Sequence, residues 1–341
     1  MKLFNNKKKY IFISSNFFLL INFLFGLSML VIMLMISSIM YKWLILEMYT
    51  YLFIYYVNKY VKKIPVSLIY YYIISSIFMI FMIYLMAFKL MNQMINNTIL
   101  SYLFLLIFMF KLGMYPFSKW FLIMVENLTW QGIYFMITMM KLFPIIMMNE
   151  LELTYEMLLL LLISSLMNVL DSLKYNSLKK ILSCSSILQN FVFIIMIMVS
   201  KMLFFVYSFI YMILLFMIIF IMNEYSILNK KDLLKLNIIN KLIYFMLIVF
   251  YMMLPPMVMF MLKWSFLIEF MNLLYNFFLL MIIYMFLNLI MMWNYFNMIK
   301  FIFIKNNYLK MNYMNLNKSL MFLLIIFILI NLFMSIFMSL L

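Results

Sequence analysis

Ile133-Tyr-Phe-Met-Ile-Thr138-Met-Met-Lys141-Leu-Phe-Pro144-Ile-Ile-Met-Met148 is an apolar run broken by one threonine, one lysine and one proline. It is too continuous for a membrane barrel strand, where polar and apolar residues alternate, so it reads as a helix inside a bilayer. An ammonium at the bilayer centre costs about 2.5 to 3.5 kcal/mol on insertion scales. A lysine kept there points to translocation of a proton or another ion.

The surrounding chain is of the same kind. Hydrophobic residues make up 70% of the 341 and charged residues 10%, with apolar runs repeated from Phe17 to Leu341. No soluble fold has this composition. At roughly 20 residues per span the chain can cross a membrane about ten to twelve times, which leaves no room for an extramembrane domain. We expect an all-α polytopic protein, a single transmembrane domain over 1–341 with a short basic extension at 1–16. Eleven spans are expected: 17–38, 43–57, 66–88, 98–113, 127–147, 157–173, 179–199, 202–222, 237–262, 272–296 and 320–341. Lys7, Lys8 and Lys9 precede an apolar run without a small-residue cleavage site, so that run is read as the first span rather than a leader.

Lysine placement checks the count. With the N-terminus on side A, eighteen lysines of the connecting segments fall on that side and only Lys42, Lys89 and Lys201 on side B, together with Glu150, Glu152 and Glu156. This positive-inside bias makes side A the matrix or cytoplasm and puts the C-terminus opposite. The net charge of +16 is explained by topology; the lysines are dispersed among spans, unlike a nucleic-acid-binding face.

Composition also excludes chemistries. There is no histidine and one cysteine, Cys184, which rules out an intrachain disulfide and leaves no ligand set for zinc, haem or an iron-sulfur cluster. Gly26, Gly113 and Gly132 are too scattered for a phosphate-cradling loop. Arginine is absent, Ala87 is the only alanine, and Ile, Phe, Asn, Lys, Tyr and 44 methionines abound. That is the product of AT-rich codons with AUA read as methionine, as in animal mitochondria, and it suggests an organelle-encoded protein.

Four of the five prolines flank buried lysines: Pro116 follows Lys111, Pro144 follows Lys141, and Pro255-Pro256 precede Lys263. Proline removes an intrahelical hydrogen bond, and broken helices beside ionisable groups are how transporters build midplane sites. The order reverses between Lys111…Pro116 and Pro256…Lys263, a hint of an inverted repeat. Glu47 is the only acid in the first three spans and is the natural partner for one of these lysines. The alternatives are an interfacial Glu47 near Lys42, and Lys111 and Lys263 snorkelling from helix ends. Ser185, Ser186, Gln189, Asn190 and Asn168 lie within spans, as water-holding groups or as glue between helices.

Four stretches carry a resemblance: Trp43-Leu-Ile-Leu-Glu47-Met, Lys111-Leu-Gly-Met-Tyr-Pro-Phe-Ser-Lys-Trp120, Lys179-Lys-Ile-Leu-Ser-Cys-Ser-Ser-Ile187 and Leu254-Pro-Pro-Met-Val-Met-Phe-Met-Leu-Lys-Trp264. In order and spacing, from about residue 25 to 300, they resemble the antiporter-like membrane subunits of respiratory complex I, and among these the NADH dehydrogenase subunit 2 family of animal mitochondria. The resemblance implies eleven spans with discontinuous helices of the inverted-repeat type and a matrix-facing N-terminus in the mitochondrial inner membrane. It implies lateral partners among the complex's other membrane-arm subunits. NADH, FMN, iron-sulfur clusters and ubiquinone would belong to other subunits, with no cofactor on this chain. It also implies roles: Glu47 and Lys111 as a coupled pair, Lys141 as central relay, Lys263 as distal relay. Ser118 and Gln189 stand where the family has histidines, so a water-holding polar group is expected to suffice there. Met252-Met253 replace two glycines and Leu262 a proline, which bears on the loop before Lys263. Lysine-rich side-A loops suit phospholipid headgroups such as cardiolipin. A free-standing cation/proton antiporter and a purely structural scaffold are the rival classes.

Overall fold

Helices form here because a chain this apolar has to satisfy its backbone internally once it leaves water. The computed structural model describes residues 22–60, 66–91, 97–151, 153–252, 257–273 and 278–303. Among them are α1 (Asn22–Met35), α2 (Ile39–Tyr60), α3 (Val66–Met91), α4 (Asn97–Leu112), α5 (Ser118–Asn127), α6 (Trp130–Ile137), α7 (Met139–Met148), α8 (Tyr155–Lys174), α9 (Leu178–Val199), α10 (Lys201–Glu224), α11 (Ile238–Tyr251), α12 (Val258–Leu273) and α13 (Phe278–Phe303), with a 3-10 turn at Lys230–Lys235. The described residues contain no strand, only an isolated bridge between Ser177 and Asn229. Among the described residues, six helical stretches are long and apolar enough to cross a membrane: Leu68–Lys89, Trp130–Met148, Tyr155–Lys174, Leu178–Val199, Lys201–Glu224 and Phe278–Phe303.

The chain divides into two compact units, residues 1–161 and 162–341. In the first, α7 packs against α2, α4 and α6, and α3 against α2, α4 and α5. In the second, α10 packs against α9, α11 and α12, and α13 against α9, α11 and the 3-10 turn. The outer face of α3 leaves Tyr70, Ile80, Phe81 and Tyr84 exposed, a surface suited to lipid. By contrast, α9 is buried from Ile181 to Ile197 without a break.

Of the uninterrupted spans, α4, α8, α9 and α10 agree with the expected 98–113, 157–173, 179–199 and 202–222 within two residues at either end, whereas α13 (Phe278–Phe303) lies six to seven residues beyond the expected 272–296. Two others differ. The expected span 127–147 is a pair, α6 and α7, interrupted at Thr138 (φ −99°, ψ −89°). The Thr138 hydroxyl and the Thr138 N–H both donate to the Tyr134 carbonyl, at 2.7 and 3.0 Å. The expected 237–262 is likewise divided into α11 and α12. Along both of these α13 runs antiparallel, with Phe303 against Phe245, Tyr295 against Tyr251 and Tyr284 against Lys263. α11 and α12 therefore act as one interrupted span, and the late part of α13 returns to the 3-10 turn, where Lys230 donates to Asn294 at 3.2 Å. Span 320–341 lies outside the described residues.

Contacts also join segments that the lysine tally puts on one side. Lys42 at the start of α2 pairs with Glu150 after α7, and Tyr102 near the start of α4 donates to Glu156 at 2.5 Å. At the 3-10 turn, Lys235 and the N–H groups of Asn229 and Leu228 hold the Asp232 carboxyl below the ordinary range.

Between α4 and α5 the chain turns through Gly113, Met114, Tyr115, Pro116 and Phe117. Gly113 has φ +66°, and a Cβ there would lie 2.5 Å from Phe121 Cγ. Gly113→Ala should therefore cost about 1 to 3 kcal/mol from backbone strain, with the overlap in addition. At Gly132 the nearest atom to an added Cβ is 3.5 Å away, and Gly132→Ala should be tolerated. Thermal unfolding of the detergent-extracted protein checks both.

Candidate functional site

α2 starts at Ile39, so Glu47 lies more than two turns inside the helix and is buried. Its partner is Lys111 in the last turn of α4, which donates to Glu47 Oε1. Both side chains are enclosed, at 6% and 7% relative exposure. Thr50, one turn on, donates to the Glu47 carbonyl at 2.7 Å and lies 3.3 Å from Oε2. Lys42 is engaged by Glu150, so the interfacial pairing of Glu47 with Lys42 is not the one formed. Lys111 is not snorkelling either; burial and a carboxylate hold its ammonium inside the protein.

The turn that follows Lys111 leads into α5, whose Phe121 meets Lys141. Because Gly113 has no Cβ, Phe121 of α5 closes against the turn, and the Lys141 ammonium lies 4.5 Å above the Phe121 ring. Such a desolvated cation–π contact is worth about 2 kcal/mol. Lys141 is the third residue of α7, directly after the interruption at Thr138, and is 3% exposed. Pro144 lies within α7 rather than at the break; lacking an N–H, it forgoes only its own bond to the Met140 carbonyl. Pro116 lies in the turn between α4 and α5, and Ser118 opens α5, buried. Glu47, Lys111, Ser118, Phe121 and Lys141 thus belong to the first unit.

The second unit holds Lys263, in the second turn of α12 and 4% exposed. It donates to the Tyr284 hydroxyl and, at 3.3 Å, to Asn288 Oδ1, with its ammonium 5.0 Å from the Tyr284 ring centre. These hydrogen-bond partners are neutral, unlike that of Lys111. Pro255 and Pro256 lie outside the described residues. On α9, Gln189 accepts from Tyr207 at 2.7 Å and Ser185 shares a 3.0 Å hydrogen bond with Tyr251. The Ser186 hydroxyl is turned back onto the Ser183 carbonyl at 2.6 Å.

Sequence reasoning missed the buried tyrosines of this unit, Tyr207, Tyr211, Tyr244, Tyr251, Tyr284 and Tyr295. Their spacing was the available signal: 207 and 211 are one turn apart on α10, and 244 and 251 two turns apart on α11. It also missed the half-buried pair between Lys42 and Glu150.

A bee protein, NADH-ubiquinone oxidoreductase chain 2 of Apis mellifera ligustica, is 33% identical over 291 residues, covering 83% of this chain and 85% of its own. The chain belongs to that family. No family model matches the sequence. A chain in the structure of respiratory complex I from Thermus thermophilus with bound aureothin has the same fold, at TM-score 0.76 and 13% identity, over 90% of this chain and 75% of that one. In this member of the chain 2 family the buried acid-lysine pair lies on α2 and α4, and both helices pack against α7, which carries the cation–π lysine.

Removing one partner of a buried ion pair leaves an uncompensated charge and costs about 3 to 5 kcal/mol, whereas removing both costs much less. Glu47→Gln should lower stability by about that amount, and Lys111→Met added to it should restore most of the loss. Thermal unfolding of the two variants in detergent measures the coupling.

Proposed function

We infer that this chain is a proton-translocating membrane-arm subunit of NADH:ubiquinone oxidoreductase, respiratory complex I, and a multi-pass inner-membrane protein. Its family membership supports this reading. The single observation that carries the mechanism is the buried Glu47–Lys111 pair on α2 and α4, both packed against the α7 helix that holds the buried Lys141.

The pair works as a switch because its net charge is set by one proton. With Glu47 ionised, the pair is neutral as a whole. Protonation of Glu47, or withdrawal of its carboxylate, leaves Lys111 as an uncompensated cation, and a second cation nearby disfavours the charged form of Lys141. Lys141 then gives up its proton, and restoration of the pair lets it load again. The energy comes from quinone reduction elsewhere in the complex, arriving as an electrostatic change at Glu47 and Lys111. Lys263, with hydroxyl and amide partners that tolerate either protonation state, acts as the distal relay. Ser118, Gln189, Ser185 and Ser186 hold water along the path, in place of histidine side chains.

The proposal includes eleven spans in one membrane domain, with the discontinuous helices α6–α7 and α11–α12 of the inverted-repeat type. It places the N-terminus on the matrix side and the C-terminus on the intermembrane-space side of the mitochondrial inner membrane. The chain carries no redox group, and NADH, FMN, iron-sulfur clusters and ubiquinone are handled by other subunits. Its neighbours are other membrane-arm subunits on both lateral sides, with cardiolipin at the lysine-rich loops.

Lys141→Met keeps the volume and the packing on Phe121 but has no proton to exchange. Complex I carrying it should assemble in near-normal amounts and oxidise NADH without translocating protons through this subunit. Measurement of protons moved per NADH in sealed vesicles tests this. An unchanged ratio would refute the relay and favour a scaffold.

A further inference from the structure

Lys111 and Phe121 stand on either side of the α4–α5 turn, and the rings next to them in sequence are stacked on each other. Phe110, beside Lys111, lies face to face with Trp120, beside Phe121, at 4.8 Å between centroids and 18° between planes. Trp120 meets Phe121 edge-on at 5.8 Å, and Phe110 meets Phe117 of the turn at 5.4 Å. Two rings of α3 close the column: Phe78 stacks on Phe110 at 4.1 Å, and Tyr71 on Trp120 at 5.7 Å. The indole N–H of Trp120 has no hydrogen-bond partner among the described residues, so this ring is held by its faces.

The backbone of the turn is closed as well. Gly113 donates to the Phe110 carbonyl at 3.0 Å, Met114 to that of Met109 at 2.9 Å and Phe117 to that of Met114 at 2.7 Å. Between Gly113 and Phe121 there is no room even for a methyl group, since an added Cβ would lie 2.5 Å from Phe121 Cγ and 2.7 Å from its Cβ. The last turn of α4, residues 113–117 and the start of α5 are thus one packed body. Lys111 is at one end of it; at the other is a ring whose centre lies 4.5 Å from the Lys141 ammonium. Sliding in the ring planes is the soft motion of such a column, because aromatic stacking is favourable when offset.

An aromatic face is a counter-charge that a small displacement can remove. A ring attracts a cation through its quadrupole only within about 6 Å of its centre, and more strongly where water is excluded. Phe121 is 1% exposed and Lys141 3%. A retreat of the ring by about 2 Å therefore takes the ammonium beyond the reach of the contact.

We propose that Phe121 is a positioning residue of the proton relay: the packed body 110–121 carries its ring onto and off Lys141 as Lys111 engages and leaves Glu47. The proposal rests on the proton-translocating reading above and adds a packing route to the electrostatic one. With the Glu47–Lys111 pair formed, the ring lies over Lys141 and stabilises the ammonium. When the pair opens, Lys111 draws the end of α4 with it, the ring retreats, and Lys141 releases its proton. No bond of Phe121 forms or breaks; the only proton transferred is that of Lys141.

Phe121→Leu, Phe121→Tyr and Lys141→Met, each in assembled complex I, test this by protons moved per NADH in sealed vesicles. Leucine fills most of the site but offers a cation no face, so the ratio should fall to that of Lys141→Met. Tyrosine keeps the face and should restore the unsubstituted ratio; a role in packing alone would not be rescued by a side chain that adds a buried hydroxyl. If Lys141→Met lowers the ratio while Phe121→Leu leaves it normal, or if Phe121→Tyr pumps as poorly as Phe121→Leu, the inference is overturned and the function stands. If Lys141→Met pumps normally, the functional reading falls and the inference with it. Should either Phe121 variant fail to assemble, maps of the unsubstituted complex at rest and during NADH turnover decide. Two placements of the ring, over Lys141 and withdrawn, support the proposal, and a single placement overturns it.

Discussion

A charged amine in a low-dielectric interior has to be met by an opposite charge, by polar groups or by an aromatic face, and the candidate site is built from three answers to that demand. Lys111 is met by a carboxylate, Lys141 by the face of Phe121, and Lys263 by a phenol and an amide. The answers differ in how firmly they hold the proton. A full counter-charge fixes the ammonium, whereas neutral partners hold it loosely, which suits a group that gives its proton up and takes it back.

The first unit is arranged around one turn. Gly113 adopts a conformation that side chains disfavour and makes room for Phe121, so the end of α4 that carries Lys111 and the start of α7 that carries Lys141 meet the same short segment. Under the proposed mechanism, a change in the charge of the Glu47–Lys111 pair reaches Lys141 across the packing of α4 and α2 on α7, without any need for a large movement. In the second unit the corresponding economy is along α13, which runs antiparallel to α11 and α12 and presents Tyr284, Asn288 and Tyr295 to them in sequence.

Uninterrupted helices were legible in the sequence because hydropathy and lysine placement both report on them; α8, α9 and α10 are examples. Interruptions were legible as prolines beside lysines, but not in their exact places. Pro144 suggested a break at its own position, yet α7 carries it inside the helix, and the backbone leaves helical geometry at Thr138 instead. The division of α11 from α12 falls in the stretch that holds Pro255-Pro256, the break the prolines signalled, although hydropathy alone reads 237–262 as one span. Glu47, Lys111, Lys141 and Lys263 stood out because charge is scarce in this chain. The tyrosines did not, since 26 of them are spread along it and only packing shows which are buried together.

The most direct test is a high-resolution map of the intact complex, read for ordered water around Lys141. The account predicts hydrogen-bonded water joining the Lys141 ammonium to Ser118 and to the Glu47–Lys111 pair. A dry, close-packed surround, with the ammonium held by fixed protein groups and no solvent path to the pair, would contradict it.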